Sequence, residues 1–231
     1  MSQNQARILI MGQSNAANHG PVRANGGPNC RIFHQGSFLP AVDPLPGASG
    51  GGGSVWTRFA PKLIARQGFD EIILVNLSHG GTAISDWAPG GKHHTRIPSV
   101  LDAAETAGIA FTHVVWHQGE RDTLMLTGEA AYQTALISLI GYLRDRGIDA
   151  PVFVCQASYH FGQISNGVRQ AQKSIVNPDK RVFAGPDTDT LGAAYRYDDL
   201  HLDARGQDLF ADMLVDSFAA AAPAQEASAA G

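Results

Sequence analysis

The feature that most constrains the fold of this chain is an alternation of short apolar runs with longer stretches of helical periodicity. Runs such as 72–75 and 152–154 are apolar without polar interruption, as in strands that are buried on both faces. The alternation predicts an α/β fold, with a parallel sheet wrapped by helices. The predicted strands are 7–11, 71–77, 112–117, 151–156 and 181–184, and the predicted helices are 56–67, 97–107, 128–146, 165–176 and 203–219.

One domain accounts for most of the 231 residues. We predict a single domain over 1–220 and a disordered tail over 221–231, which is rich in Ala and small polar residues. The segment 18–54 holds much of the glycine and proline and predicts a flexible loop beside the active site. Its four successive glycines, 50–53, are not a phosphate-binding P-loop, because no Gly-Lys-Ser/Thr follows them.

Charge and composition exclude several classes of function. The formal net charge of −4 argues against broad nucleic-acid binding, which needs a basic surface. No stretch of 18 apolar residues is present, so we expect no membrane partner. Cys30 and Cys155 are expected to be free thiols. The polar N-terminus has no signal-peptide core, which predicts a cytoplasmic protein or an exported one that has lost its signal.

Polar motifs follow the first three predicted strands, and a fourth precedes the last predicted helix. In such sheets ligands bind at the carboxyl ends of the strands. The motifs are Gly12-Gln13-Ser14-Asn15, Ser78-His79-Gly80-Gly81-Thr82, Trp116-His117-Gln118-Gly119-Glu120-Arg121-Asp122 and Asp198-Asp199-Leu200-His201. Taken singly, each has a structural alternative: a helix cap, a glycine turn or a polar loop. Together they supply a nucleophile, amide donors, a base and a carboxylate to orient it.

The spacing of Asp198 and His201 has a specific chemical meaning. A carboxylate three residues before a histidine on a turn can accept the Nδ1–H of the ring. That contact fixes the tautomer and leaves Nε2 free to act as a base.

The four motifs, in this order, resemble those of the SGNH hydrolase superfamily, and more narrowly its sialate O-acetylesterase and family 6 acetylxylan-esterase branch. The resemblance implies a three-layer α/β/α sandwich, flavodoxin-like, with a five-stranded parallel sheet. It also implies hydrolysis of acetyl esters on sugars without a metal or cofactor. Ser14 is then the nucleophile, His201 the base and Asp198 the acid; Asp199 has the wrong spacing.

The same resemblance assigns an oxyanion hole. Its donors are the N–H of Ser14, the N–H of Gly80 and the side-chain amide of Gln118, where relatives outside this branch use an asparagine. Gly80 is preferred to Gly81 because it stands two residues before Thr82. Supporting roles fall to Asn15, Gly81 and Glu120, and His117 receives none.

We therefore predict a serine esterase that removes O-acetyl groups from a carbohydrate. An α/β-hydrolase is rejected, because Ala16 stands where Gly-x-Ser-x-Gly requires its second glycine. A metalloenzyme using His79, His93, His94 and Asp86 is an alternative, although no helical His-x-x-x-His supports it. The two remaining alternatives are an acetyltransferase and a non-catalytic carbohydrate-binding protein.

Overall fold

A seven-stranded sheet forms the centre of the protein in the computed structural model, which describes residues 4–221. The strand order is β3-β2-β4-β1-β5-β6-β7. The strands are β1 (Gln5–Gly12), β2 (Cys30–His34), β3 (Ser37–Pro40), β4 (Glu71–Asn76), β5 (His113–His117), β6 (Val152–Gln156) and β7 (Val182–Asp187). The helices are α1 (Trp56–Gln67), α2 (Ile84–Trp87), α3 (Arg96–Thr106), α4 (Glu120–Leu124), α5 (Glu129–Asp145), α6 (Asn166–Ser174) and α7 (Ala204–Ala221).

All five predicted strands are present, and each runs parallel to its sheet neighbours. β1 lies between β4 and β5, with Ile10 opposite Asn76 on one side and Val115 on the other. The carboxyl ends of these three strands therefore meet at one edge of the sheet. The five long helices match the predicted ones to within two residues at each end.

The prediction of an unstructured loop over 18–54 is wrong, because this segment adds two strands to the expected five. β2 pairs in parallel with β4, and β3 pairs antiparallel with β2 at the sheet edge. The rest of the segment is held by buried Asp43, whose carboxylate accepts hydrogen bonds from the Ser54 and Thr57 hydroxyls. The strands are four and five residues long and flanked by glycine and proline, which hides their periodicity in the sequence.

The alternation of side chains along β1 builds the two helical layers. Ile8 and Ile10 belong to one hydrophobic cluster, together with residues of α1 and α7. Leu9 and Met11 belong to a second cluster, with residues of α3, α5 and α6. Successive side chains of a strand point to opposite faces, so β1 is buried on both. The predicted α/β/α sandwich is confirmed.

Both cysteines are buried free thiols, as predicted. Burial raises the pKa of Cys30 to about 12, which disfavours the reactive thiolate. Among residues 4–221, no helix is both long and apolar enough to cross a bilayer. Apart from Ala221, the tail predicted to be disordered lies outside the described residues.

His113, at the start of β5, makes the stability of the fold sensitive to acid. Its ring stacks on Phe218 at 4.4 Å, and burial lowers its pKa to about 4. The unfolded chain binds this proton near pH 6.5 but the folded chain only near pH 4, so stability is lost as pH falls between those values. We expect this to cost about 3 kcal/mol. Chemical denaturation at pH 7 and pH 4.5 should show a smaller loss in His113→Phe; an equal loss would contradict the assignment.

Candidate active site

Three strand ends are joined tightly beside the nucleophile candidate. The N–H of Gln13 donates to the carbonyl of His117 at 3.1 Å, and the N–H of His79 donates to the carbonyl of Gly12 at 3.0 Å. Gly12 has φ +147°, and a Cβ there would lie 2.0 Å from the His117 oxygen. Glycine at position 12 therefore allows β1 and β5 to approach, and the loops after β1, β4 and β5 meet at one place.

Ser14 begins a 3₁₀ turn, Ser14–Ala16, directly after β1. Its side chain does not cap a helix, because Gln13 occupies the capping position and makes no side-chain cap bond. The residue is only 3% exposed, yet it lines a pocket of about 430 Å³. His201 lines the same pocket, so the structure brings the two residues together as the sequence predicted.

Asp198 holds His201 through a local turn. One carboxylate oxygen accepts the Nδ1–H of His201 at 2.6 Å, and the other accepts the backbone N–H groups of Leu200 and His201. Partial burial raises the pKa of Asp198, but the hydrogen bonds from His201 outweigh it and hold the pKa below its usual value. Asp199 instead accepts the hydroxyl of Tyr159 at 2.6 Å. The spacing argument therefore selected the carboxylate that contacts the ring.

Asn15 links the turn of Ser14 to the turn of His201. Its amide donates to Glu120 at 2.8 Å and to the carbonyl of Leu200, while its oxygen accepts the N–H of Leu202. Glu120 is 1% exposed and does not line the pocket. Asn15 and Glu120, two of the three predicted supporting residues, therefore position the loops that carry the proposed nucleophile and base.

The structure contradicts the prediction that the Gln118 amide is an oxyanion donor. Gln118 is fully buried and does not line the pocket. The two N–H groups of its Nε2 are shared among three acceptors: the carbonyl of Thr82 at 2.8 Å, Asp122 at 2.6 Å and the side-chain oxygen of Gln13 at 3.1 Å. Its own side-chain oxygen accepts the hydroxyl of Tyr132. Both the nitrogen and the oxygen of the Gln118 side chain are therefore hydrogen-bonded to other protein groups.

Sequence reasoning missed Gln13, which lines the pocket where Gln118 does not. Its Oε1 accepts Gln118 Nε2 at 3.1 Å and the backbone N–H groups of Gly119 and Arg121 at 3.4 and 3.1 Å. Two backbone donors require an oxygen at that position, so the orientation of the amide is fixed. Its Nε2 has no protein acceptor among the described residues, and Gln13 lines the pocket. The sequence signal that could have identified Gln13 is its side-chain amide, directly before the predicted nucleophile Ser14.

The N–H of Gly80 already has an acceptor, because it donates to the hydroxyl of Ser49 at 2.7 Å. That hydroxyl also contacts His19 Nε2 at 3.2 Å. Ser49 belongs to the glycine-rich segment 18–54, which therefore borders the pocket as predicted. A Cβ on Gly80 would lie 2.9 Å from the His19 ring, whereas Gly81, at φ +71°, has open space.

Imidazoles and a guanidinium line much of the pocket. His19 stacks on His201 with ring centroids 5.2 Å apart. Burial, and then the neighbouring positive charges, lower the pKa values of His19 and His79, so both favour the neutral form. Arg121 is exposed at the pocket and has no ion-pair partner within residues 4–221. The pocket therefore presents hydrogen-bonding groups to a polar ligand.

The residues of the metalloenzyme alternative do not converge, and His117 lies outside the pocket lining. His117 is buried beneath the pocket, where Nε2 contacts Thr188 at 2.8 Å. The rings of His79 and His93 lie 4.4 Å apart at a tilt of 33°, but His94 Nδ1 contacts the carbonyl of Trp87. In the described part of the chain, no group of three His, Cys, Asp or Glu residues is placed to hold a metal ion.

Comparisons with known proteins identify relatives of this chain in sequence and in fold. Residues 4–220 match the SASA family, described as carbohydrate esterase, sialic acid-specific acetylesterase. A probable carbohydrate esterase of Arabidopsis thaliana is 27% identical over 135 residues, which cover 58% of this chain and 50% of the relative. The matched stretch thus spans about half the length of that curated protein.

Solved structures share the fold. An Arabidopsis thaliana protein superposes with a TM-score of 0.78 at 22% identity, covering 94% of this chain and 98% of the other. NanS superposes with a TM-score of 0.66 at 16% identity, covering 95% of this chain and 98% of NanS. A carbohydrate acetylesterase from Xanthomonas citri gives 0.62 at 18% identity, over 91% of this chain and 55% of the other.

Proposed function

This chain belongs to the carbohydrate esterase family of sialic acid-specific acetylesterases, and from that premise we propose that it hydrolyses O-acetyl esters of a sugar through an acetyl-serine intermediate. The observation that carries the proposal is the convergence of Ser14 and the Asp198–His201 pair on one pocket at the carboxyl edge of the sheet.

In the proposed mechanism, His201 is the general base. Since its Nδ1 is engaged by Asp198, Nε2 takes the proton of Ser14 as Oγ attacks the acetyl carbonyl. His201 then returns the proton to the departing sugar hydroxyl. Water repeats the attack on the acetyl-serine and releases acetate. Asp198 stabilises the imidazolium during both steps.

The oxyanion is stabilised by the N–H of Ser14 and the side-chain amide of Gln13. Preorganised donors of this kind commonly supply the largest single catalytic effect. Gln13 meets the requirement for preorganisation, because three hydrogen bonds fix its oxygen and thereby direct its Nε2. Gly80 contributes only when the Ser49 hydroxyl releases its N–H.

The test is hydrolysis of p-nitrophenyl acetate together with labelling by a fluorophosphonate. We expect turnover that EDTA does not reduce, since the proposed triad needs no metal, and a mass increase on the peptide that contains Ser14. Labelling at the other pocket serine, Ser49, or activity lost in EDTA and restored by zinc, would contradict the proposal.

Product analysis separates hydrolysis from acetyl transfer. With an acetylated sugar as donor and excess free sugar as acceptor, we expect free acetate to form in proportion to the ester consumed. Acetylated acceptor as the main product would identify an acetyltransferase, and no turnover of any ester would identify a binding protein.

A further inference from the structure

Phe161 occupies a tight turn after β6 in a backbone conformation that disfavours it. His160 and Gln163 exchange backbone hydrogen bonds of 2.8 and 3.0 Å across the turn. The two central residues, Phe161 and Gly162, have φ +46° and +77°. Positive φ at both is the pattern of a type I′ turn, for which Asn-Gly is the preferred pair. A bulky aromatic residue in this region is strained.

A second turn in the same protein shows that this geometry does not require an aromatic residue. The β2–β3 hairpin has Gln35 and Gly36 at φ +47° and +79°, nearly the same angles. Gln35 is polar and exposed, as expected at a hairpin tip. The Phe at position 161 is therefore not explained by the turn.

Packing does not explain it either. Phe161 is 54% exposed and lies outside both hydrophobic clusters. Its one ring contact among the described residues is with His160, edge to face at 4.8 Å. By contrast, the base of the turn is fixed: Tyr159 is buried and its backbone N–H donates to Asp189. A rigid base thus supports an exposed aromatic tip.

The position of the turn connects Phe161 to the proposed reaction. His160 lines the pocket that contains Ser14 and His201, and the Phe161 ring contacts His160 edge to face, so one side chain separates Phe161 from the pocket lining. A second exposed aromatic residue, Tyr197, stacks on His201 with ring centroids 6.0 Å apart. Strain and exposed apolar surface concentrated beside a polar pocket are typical of a binding role.

We propose that Phe161 is a stacking platform for the sugar ring of the acetylated substrate, and so a specificity-determining residue of this site. This inference rests on the proposed function. The face of an aromatic ring carries partial negative charge, and one face of a pyranose presents C–H groups of opposite polarity. When the acetyl carbonyl reaches Ser14, the sugar ring extends toward the side of the pocket lined by His160, which the Phe161 ring contacts.

The experiment compares two acetyl esters. Ethyl acetate has no ring to stack, whereas an acetylated methyl pyranoside does. The variant is Phe161→Asn, which removes the ring but suits the turn, and the matched control is Gln35→Asn at the corresponding position of the β2–β3 turn. Phe161→Trp keeps an aromatic face.

We expect Phe161→Asn to lower kcat/KM for the sugar ester, relative to ethyl acetate, by about tenfold, mainly through KM. Its Tm should rise by roughly 2 °C, as should that of Gln35→Asn, because Asn tolerates positive φ. Gln35→Asn and Phe161→Trp should keep the ratio between the two esters within about twofold. This pattern would establish stacking, because a loss of stability could not explain the lower activity of Phe161→Asn.

An unchanged ratio in Phe161→Asn would overturn the inference, and so would an equal loss on both esters, which would mean that Phe161 braces the pocket. If the wild-type chain hydrolyses neither ester, the proposed function is contradicted, and this result says nothing about the stacking role of Phe161. Calorimetric titration with the acetylated methyl pyranoside then tests whether Phe161 stacks on the sugar. Weaker binding to Phe161→Asn than to the wild-type chain would support stacking. An absence of binding, or equal binding by the two chains, would overturn it.

Discussion

Replacing Asp198 by Asn is expected to lower kcat for p-nitrophenyl acetate by roughly 10⁴-fold, as loss of the orienting carboxylate does in other Ser-His-Asp triads. The Asp198 carboxylate accepts the Nδ1–H of His201 at 2.6 Å, and an amide nitrogen there would favour the wrong tautomer. The other carboxylate oxygen holds the turn, and Asn retains one oxygen for it. The change should therefore appear in kcat and not in Tm.

Asp199→Asn is the matched control one residue away. Asp199 has φ +60°, which Asn tolerates, and its Oδ1 accepts the Tyr159 hydroxyl, which an amide oxygen can also do. We expect kcat within a few-fold of wild type. Equal losses in the two variants, measured as kcat per folded molecule, would show that Asp198 does not orient the base.

Replacing Gln13 by Glu is expected to lower kcat by about 10²–10³-fold while Tm is kept. Glu retains an oxygen for the N–H groups of Gly119 and Arg121, so the internal contacts persist. In the proposed oxyanion hole, Nε2 is then replaced by a negatively charged oxygen beside the developing oxyanion. Because that interaction forms mainly in the transition state, KM should change little.

Gln118→Glu is the contrasting variant and should instead destabilise the fold. It would point a carboxylate oxygen at Asp122, at the carbonyl of Thr82 and at Gln13 Oε1, all of which now accept from Nε2. Unsatisfied buried groups cost about 1–3 kcal/mol each, so a loss of about 3 kcal/mol should lower Tm by roughly 6–12 °C. A stable Gln118→Glu with a large kcat loss, beside a normal Gln13→Glu, would restore Gln118 to the oxyanion hole.

Much of the fold was predictable because its signals are local or periodic. Apolar runs without alternation identified five strands, and these strands form the parallel part of the sheet together with β2. β2 and β3 were not predicted, because strands of four or five residues among glycine and proline show little periodicity. The strand character of β2 depends on pairing with β4, some forty residues further along the chain, and β3 in turn pairs with β2.

The sequence by itself determined the contact between Asp198 and His201, since a three-residue separation on one turn leaves few other places for the carboxylate. It also placed Ser14 at the end of β1. Only the tertiary structure decided between Gln13 and Gln118. Both amides follow adjacent strands, and both have the right chemistry. Which one reaches the pocket depends on burial and on contacts with Thr82, Asp122 and Tyr132, which lie on separate segments. A donor already bonded to buried acceptors cannot serve an oxyanion, and that competition among distant residues has no signature in local sequence.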